Sequence, residues 1–166
     1  MTDWITCWHE WKIGWHKNQP NSRLIEFIAC LKLSTNACVF VPLCGKSVDI
    51  YCDDYFDFDT SILNHVSAVY DRASLIALPL ALRAKYASHL YAIIPADCRM
   101  LLLTLNYPQS QMSGPPYAVN KAEVVLLFKG FECQQLQCFN DIKNEPKFQR
   151  VNVDFFEKAT YCLRKK

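Results

Sequence analysis

Four glycines in 166 residues leave little room for loops that cradle phosphates. Gly45-Lys46-Ser47 has no glycine in the run Ala37 to Leu43 before it, so the spaced glycine of a G-x-x-x-x-G-K-[ST] loop is missing and a P-loop is excluded. The nine cysteines are odd in number and contain no C-x-x-C pair, which argues against both a disulfide framework and a zinc site. They are expected to be reduced, with Cys38, Cys133, Cys138 and Cys162 packed in apolar runs as small hydrophobes; no metal site is expected. No stretch reaches the roughly 18 apolar residues of a membrane span, since Ser88 to Tyr107 is broken by Asp97 and Arg99. The first residues carry Asp3, Glu10 and the chain's four tryptophans, unlike a secretion signal. A net charge of +2 gives no basic footprint for nucleic acid. A cytoplasmic protein, monomeric or weakly dimeric, with no membrane or nucleic-acid partner, is the expectation.

What is present is a single α/β domain over 1–166. Half of the residues are hydrophobic and a fifth are charged, enough to bury a real core. Trp4, Trp8, Trp11 and Trp15 recur at helical spacing. A second helix starts after Pro20-Asn21, with Asn21 as cap and Leu24, Ile28 and Leu31 on one face. Ala37 to Leu43 reads as a strand buried on both faces and ending in a turn at Cys44-Gly45. A short strand at Ile50 to Cys52, an acidic stretch from Asp53 to Asp59 and an apolar strand from Ser67 to Tyr70 follow.

The helix around and after Pro79 places Leu78, Leu82, Tyr86 and Leu90 on one stripe, with Arg83 and Lys85 elsewhere. Met100 to Tyr107 is the clearest buried strand. Asn120-x-x-Glu123 resembles a capping box, with Val119 and Val124 placed as a hydrophobic staple. Phe131 to Phe139 and Ala159 to Leu163 are expected to pair antiparallel, with no helix between them. Alternating strands and helices predict a sheet covered on both faces, with ligands beyond the carboxyl ends of its strands. Those ends are Leu43-Cys44-Gly45, Cys52-Asp53-Asp54, Asp71-Arg72 and Asn106-Tyr107, where polar residues and glycine gather.

Four segments carry a family resemblance: Ile13-Gly14-Trp15-His16, Val41-Pro42-Leu43-Cys44-Gly45-Lys46-Ser47, Val69-Tyr70-Asp71-Arg72-Ala73 and Gly114-Pro115-Pro116-Tyr117. In composition and order they resemble the thiopurine S-methyltransferases, bacterial ones especially, from about Trp4 to Leu163. The resemblance implies a Rossmann-like sheet and methyl transfer from S-adenosyl-L-methionine (SAM) to the sulfur of a thiopurine-like or other small thiol or chalcogen acceptor. It assigns Trp4, Leu43, Gly45, Asp54, Tyr55 and Arg72 to the cofactor, and Trp15 and His16 to the acceptor.

Each assignment has a physical rationale and a plainer alternative. Trp4 offers an aromatic face to a sulfonium or packs in a core, and Trp15 stacks a flat heterocycle or forms an aromatic lid. Gly45 admits close backbone approach or simply makes a turn. Asp54 and Tyr55 contact the adenine side, or lie in a solvated acidic loop. Arg72 holds an anionic group with its fork of donors, or pairs with Asp71 or Asp54. His16 is a polar partner of the acceptor or satisfies a core hydrogen bond. No catalytic acid or base is expected, because a thiolate is already a good nucleophile and alignment supplies most of the rate.

The sequence departs from the family after the first strand. Family members place a helix and a second strand there, ending in an acidic residue that holds the ribose hydroxyls. Here Ser47-Val48-Asp49 runs straight into Ile50-Tyr51-Cys52-Asp53, which resembles the family's third strand, and a parallel crossover needs on the order of a dozen residues. The resemblance therefore implies a sheet lacking its second strand and the preceding helix. A non-catalytic remnant acting as a binding protein is the alternative function. A generic nucleotide-binding α/β protein is disfavoured by the missing glycine loop.

Overall fold

The centre of the sheet is laid down by Arg99–Asn106, whose run of leucines forms a strand with little solvent exposure on either face. The computed structural model describes residues 19–42, 55–57 and 59–166. The expected N-terminal helix and the strand at Ile50 to Cys52 lie outside the described residues.

In chain order the elements are α1 (Ser22–Phe27), β1 (Cys38–Phe40), β2 (Val66–Asp71), α2 (Ser74–Ala77), α3 (Leu80–Ile93), β3 (Arg99–Asn106), α4 (Lys121–Leu127), β4 (Phe131–Asn140), α5 (Pro146–Arg150) and β5 (Glu157–Lys165). The strands form one sheet in the order β1-β2-β3-β5-β4. β1, β2 and β3 are parallel, and β5 runs antiparallel between β3 and β4. The expected antiparallel pairing of the last two strands is observed.

Strand alternation sends side chains to two cores. Val69, Met100, Leu102, Ala159, Tyr161 and Leu163 face Leu75, Tyr86, Leu90, Val124 and Phe128 of the helical layer. Ala68, Tyr70 and Leu101 point the other way, beneath Leu31 with Leu24 and Phe27 of the α1 segment. Each fully buried leucine or valine contributes roughly 1.5–3 kcal/mol. Helices therefore cover both faces, as alternation of strand and helix predicts.

The caps also follow the sequence. The Asn21 side chain accepts from Arg23 N at 2.9 Å at the start of α1, and Asn120 accepts from Glu123 N at 2.9 Å at the start of α4. Val119 and Val124 are both fully buried, as a staple requires. The box is not reciprocal, however, because the Glu123 carboxylate turns to Arg83 at 2.6 Å.

Five expectations are corrected. In α3 the buried residues are Arg83, Tyr86, Ala87 and Leu90, while Leu82 is 40% exposed. Arg83 is only 3% exposed because its Nε donates to Leu78 O and its Nη1 to Ala118 O and Glu123 Oε1. A guanidinium with that many acceptors can be buried. Ile28 is 43% exposed rather than on the buried face of its segment. β1 is not buried on both faces, since it lies at the edge of the five-stranded sheet, and Cys38 on it is exposed. Cys138 is exposed for the same reason on β4 at the opposite edge, whereas Cys162 is buried and Cys133 half-buried. A short helix, α5, does stand between the last two strands. Its Phe148 joins Tyr107, Met112, Val153 and Phe156 in a small third core. No helix among the described residues is long and apolar enough to cross a membrane.

Candidate functional site

The parallel strands β1, β2 and β3 end together, and β2 is the one whose end carries both charges, Asp71 and Arg72. Alternation turns these neighbours to opposite sides. Asp71 points into the helical layer and is fully buried. Its carboxylate accepts from Ser74 N at 2.9 Å, Leu75 N at 3.3 Å and Tyr86 Oη at 2.7 Å. Those two amides belong to the first turn of α2, which would otherwise lack acceptors. Burial pushes the Asp71 pKa up, against the bonds from Tyr86, Ser74 and Leu75, which pull it down.

Ser74 extends the same network to β1. Its hydroxyl donates to Pro42 O at 2.9 Å, a buried bond that ties the exit of β1 to the exit of β2. Leu43 and Gly45 follow Pro42 directly in sequence. Replacing Ser74 by Ala strands a buried carbonyl, so a loss of about 1–2 kcal/mol is expected, read as a lower Tm with an unchanged urea m-value.

Arg72 behaves differently. It is half-buried, and among the described residues its guanidinium has no hydrogen bond or ion pair. The proposed pairing with Asp71 is not formed, because the Asp71 oxygens are taken by Ser74, Leu75 and Tyr86. A fork of donors is thus left at the carboxyl end of a central strand, where open α/β sheets bind ligands.

Tyr55 stacks on Tyr86 with ring centroids 5.1 Å apart and meets His89 edge-on at 5.1 Å. Burial raises its phenol pKa, and the Asp71 charge adds to the effect. Tyr55 therefore sits against α3, on the Asp71 side of the sheet. Trp4, Trp15, His16, Leu43, Gly45 and Asp54 lie outside the described residues.

The loop from β3 to α4 walls the same edge. Tyr107 Oη donates to Pro116 O, Gln109 binds Met112 O and Ala118 N, and Tyr117 N donates to Ile76 O at 2.6 Å. A Cβ on Gly114 would lie 2.3 Å from the Tyr117 ring, so Gly-Pro-Pro-Tyr needs its glycine for close approach. The Arg83 guanidinium lies 5.7 Å from that ring's centroid. Arg83 is the residue whose part at this edge the sequence concealed, and its helical spacing gave no signal of burial. Asp71-x-x-Ser74 was legible as a cap, being an acid just before a helix start. No group of three or more potential metal ligands occurs among the described residues.

Three parallel strands continued by an antiparallel pair, with helices on both faces and a cation at the carboxyl edge, define a Rossmann-like methyltransferase sheet. A sequence model of the family described as Thiopurine S-methyltransferase (TPMT) matches residues 1–51 and 47–166. The chain belongs to the thiopurine S-methyltransferase family, whose methyl donor is SAM. It is 31% identical over 212 aligned positions to the thiopurine S-methyltransferase of Xanthomonas campestris pv. campestris (strain 8004), covering 98% of this chain and 97% of that protein. To the enzyme of Nitrosospira multiformis it is 31% identical over 210 positions, covering 96% of each. Among solved structures, a SAM-dependent methyltransferase from Anabaena variabilis matches with a TM-score of 0.46 at 14% identity, over 64% of this chain and 53% of that one.

Proposed function

We propose that this chain transfers the SAM methyl group to the sulfur of a thiopurine-like or other small thiol or chalcogen acceptor, using a cofactor pocket that is short of its ribose-binding segment. The observation that carries the reading is Arg72, a half-buried guanidinium with no partner among the described residues, at the carboxyl end of β2. The residues present there fit the methionine end of the cofactor. Asp71 is committed to α2 and Tyr86, so the local charge offered to a ligand is positive and suits a carboxylate.

In this reading Arg72 fixes the cofactor's carboxylate, Leu43 and Gly45 line its methionine part, and Trp4 faces the sulfonium. Asp54 and Tyr55 lie toward the adenine, and Trp15 and His16 orient the acceptor. When bound, the cofactor supplies the electrophilic methyl group. The chain supplies alignment and exclusion of water, with no proton transfer required of a side chain.

Two observations support a missing segment. The relatives align over 212 positions with a chain of 166 residues, and the two stretches matched by the family model meet at residues 47–51. β1 is correspondingly an edge strand of the described sheet.

The test is Arg72→Ala. A charge-assisted bond to a ligand contributes roughly 1.5–3 kcal/mol, so affinity for S-adenosylhomocysteine is expected to fall about ten- to a hundredfold with the Tm held. Transfer of labelled methyl to a thiopurine should fall with it. A variant that unfolds, or one that binds as wild type does, would make Arg72 structural and remove the basis of the reading.

A further inference from the structure

On the face of the sheet away from α3, two cysteines far apart in sequence meet. Cys162 is on β5 opposite Leu101 of β3, and its side chain points beneath the turn Ile28–Leu31 that covers this face. Cys162 Sγ lies 3.7 Å from Cys30 O, to which its S–H donates, and the Cys30 thiol hydrogen-bonds to the Cys162 sulfur. Arg99 is two residues from Leu101 on the same face, and its guanidinium also bonds to that sulfur. A cleft of about 140 Å³ is lined by Arg99, Glu132, Gln134, Arg164 and Cys162, giving a small polar molecule a route to the thiol. The bond from Cys30 and the charge of Arg99 favour the Cys162 thiolate, against its burial. Cys30, as donor to it, is held as the thiol.

We propose that Cys30 and Cys162 are a peroxide-responsive dithiol whose disulfide fastens the Ile28–Leu31 turn to β5. A disulfide needs sulfur atoms about 2 Å apart, and two thiols already in hydrogen-bond contact reach that by small side-chain rotations. The Cys162 thiolate attacks one oxygen of hydrogen peroxide, breaking the O–O bond; the departing hydroxide takes a proton and leaves as water. The Cys30 sulfur then attacks the Cys162 sulfenic acid, its proton joining the displaced hydroxide as a second water. Two thiols and one peroxide give one disulfide and two waters. The paired partner, the adjacent guanidinium and the cleft are what distinguish Cys162 from Cys98, which is buried beside its own chain neighbour's carbonyl.

The experiment is a stoichiometric hydrogen peroxide treatment of the reduced full chain, followed by thiol counting, alkylation and peptide mapping. All nine thiols should be titratable beforehand in denaturant. Two should be lost on treatment, recovered as a peptide joining Cys30 to Cys162 and restored by dithiothreitol. Because a cross-link between distant residues restrains the unfolded chain, the Tm should rise by on the order of 5 °C. Cys30→Ser should leave a sulfenic acid on Cys162 that a 1,3-dione probe traps, and Cys162→Ser should leave Cys30 unmodified. A Cys38→Ser/Cys138→Ser double variant, altered only at exposed edge positions, should form the cross-link as wild type does. Nine thiols persisting after treatment, or oxidation mapping to cysteines other than this pair, would overturn the proposal. A cross-link without a rise in Tm would overturn the fastening.

Discussion

Asp71→Ala is expected to cost about 3–5 kcal/mol of folding stability, a large part of the total of about 5–15 kcal/mol for a domain of this kind. The reason is the number of donors that converge on one buried carboxylate: Ser74 N, Leu75 N and Tyr86 Oη. Each donor left without an acceptor away from water costs roughly 1–3 kcal/mol. The first turn of α2 loosens, and the Ser74 bond that holds the exit of β1 at Pro42 goes with it.

Asp71→Asn keeps an oxygen for the two amides and carries no charge to desolvate, so it should fall within about 1 kcal/mol of wild type. The two variants also differ in pH dependence. The folded pKa of Asp71 is raised above its ordinary value, so its favourable contribution is complete below the unfolded carboxylate's pKa and is lost as pH rises through the folded value. Wild type should therefore lose stability relative to Asp71→Asn between acid and neutral pH. Urea unfolding at several pH values checks both points. Asp71→Ala within 1 kcal/mol of wild type would contradict the network.

Restoring the absent segment should tighten cofactor binding by about a hundredfold or more. A ribose diol held by one carboxylate makes two charge-assisted hydrogen bonds, each about 1.5 kcal/mol or more, and together they correspond to that factor. Arg72, Leu43, Gly45 and Trp4 are assigned to the methionine end and cannot replace those bonds from there. The measurement inserts a family-type helix and strand, with its terminal acidic residue, between Asp49 and Ile50, and titrates both chains with S-adenosylhomocysteine. Equal binding by the two would mean that Asp49 or Asp53 holds the ribose, and the account of the missing segment would fail.

Much of the architecture was legible because the local signals agreed with one another. The leucine run from Met100 was read as Met100 to Tyr107 and forms Arg99–Asn106. Asn21 and Asn120 cap the helices they precede. What was not legible depends on partners distant in sequence. Arg83 falls on the buried face of α3 because Ala118 O and Glu123, some forty positions later, come to meet it. Cys38 and Cys138 look like core residues in their runs, yet strand order makes β1 and β4 the two edges. At the site, the motif marked Arg72, but its lack of a partner follows from Asp71 being claimed by Tyr86, fifteen residues away. α5 is five residues long, too short to show a helical period.

The most direct test of the central claim, that the carboxyl edge around Arg72 holds SAM, is calorimetric titration of the wild-type chain with S-adenosylhomocysteine beside an intact family member. The account predicts a saturable one-to-one isotherm, displaced to weaker affinity by on the order of a hundredfold, with a Tm that rises with ligand concentration. No binding heat and no change in Tm at about a thousandfold the concentration that saturates the intact relative would contradict it, and would favour a methyltransferase fold kept as a non-catalytic binding protein.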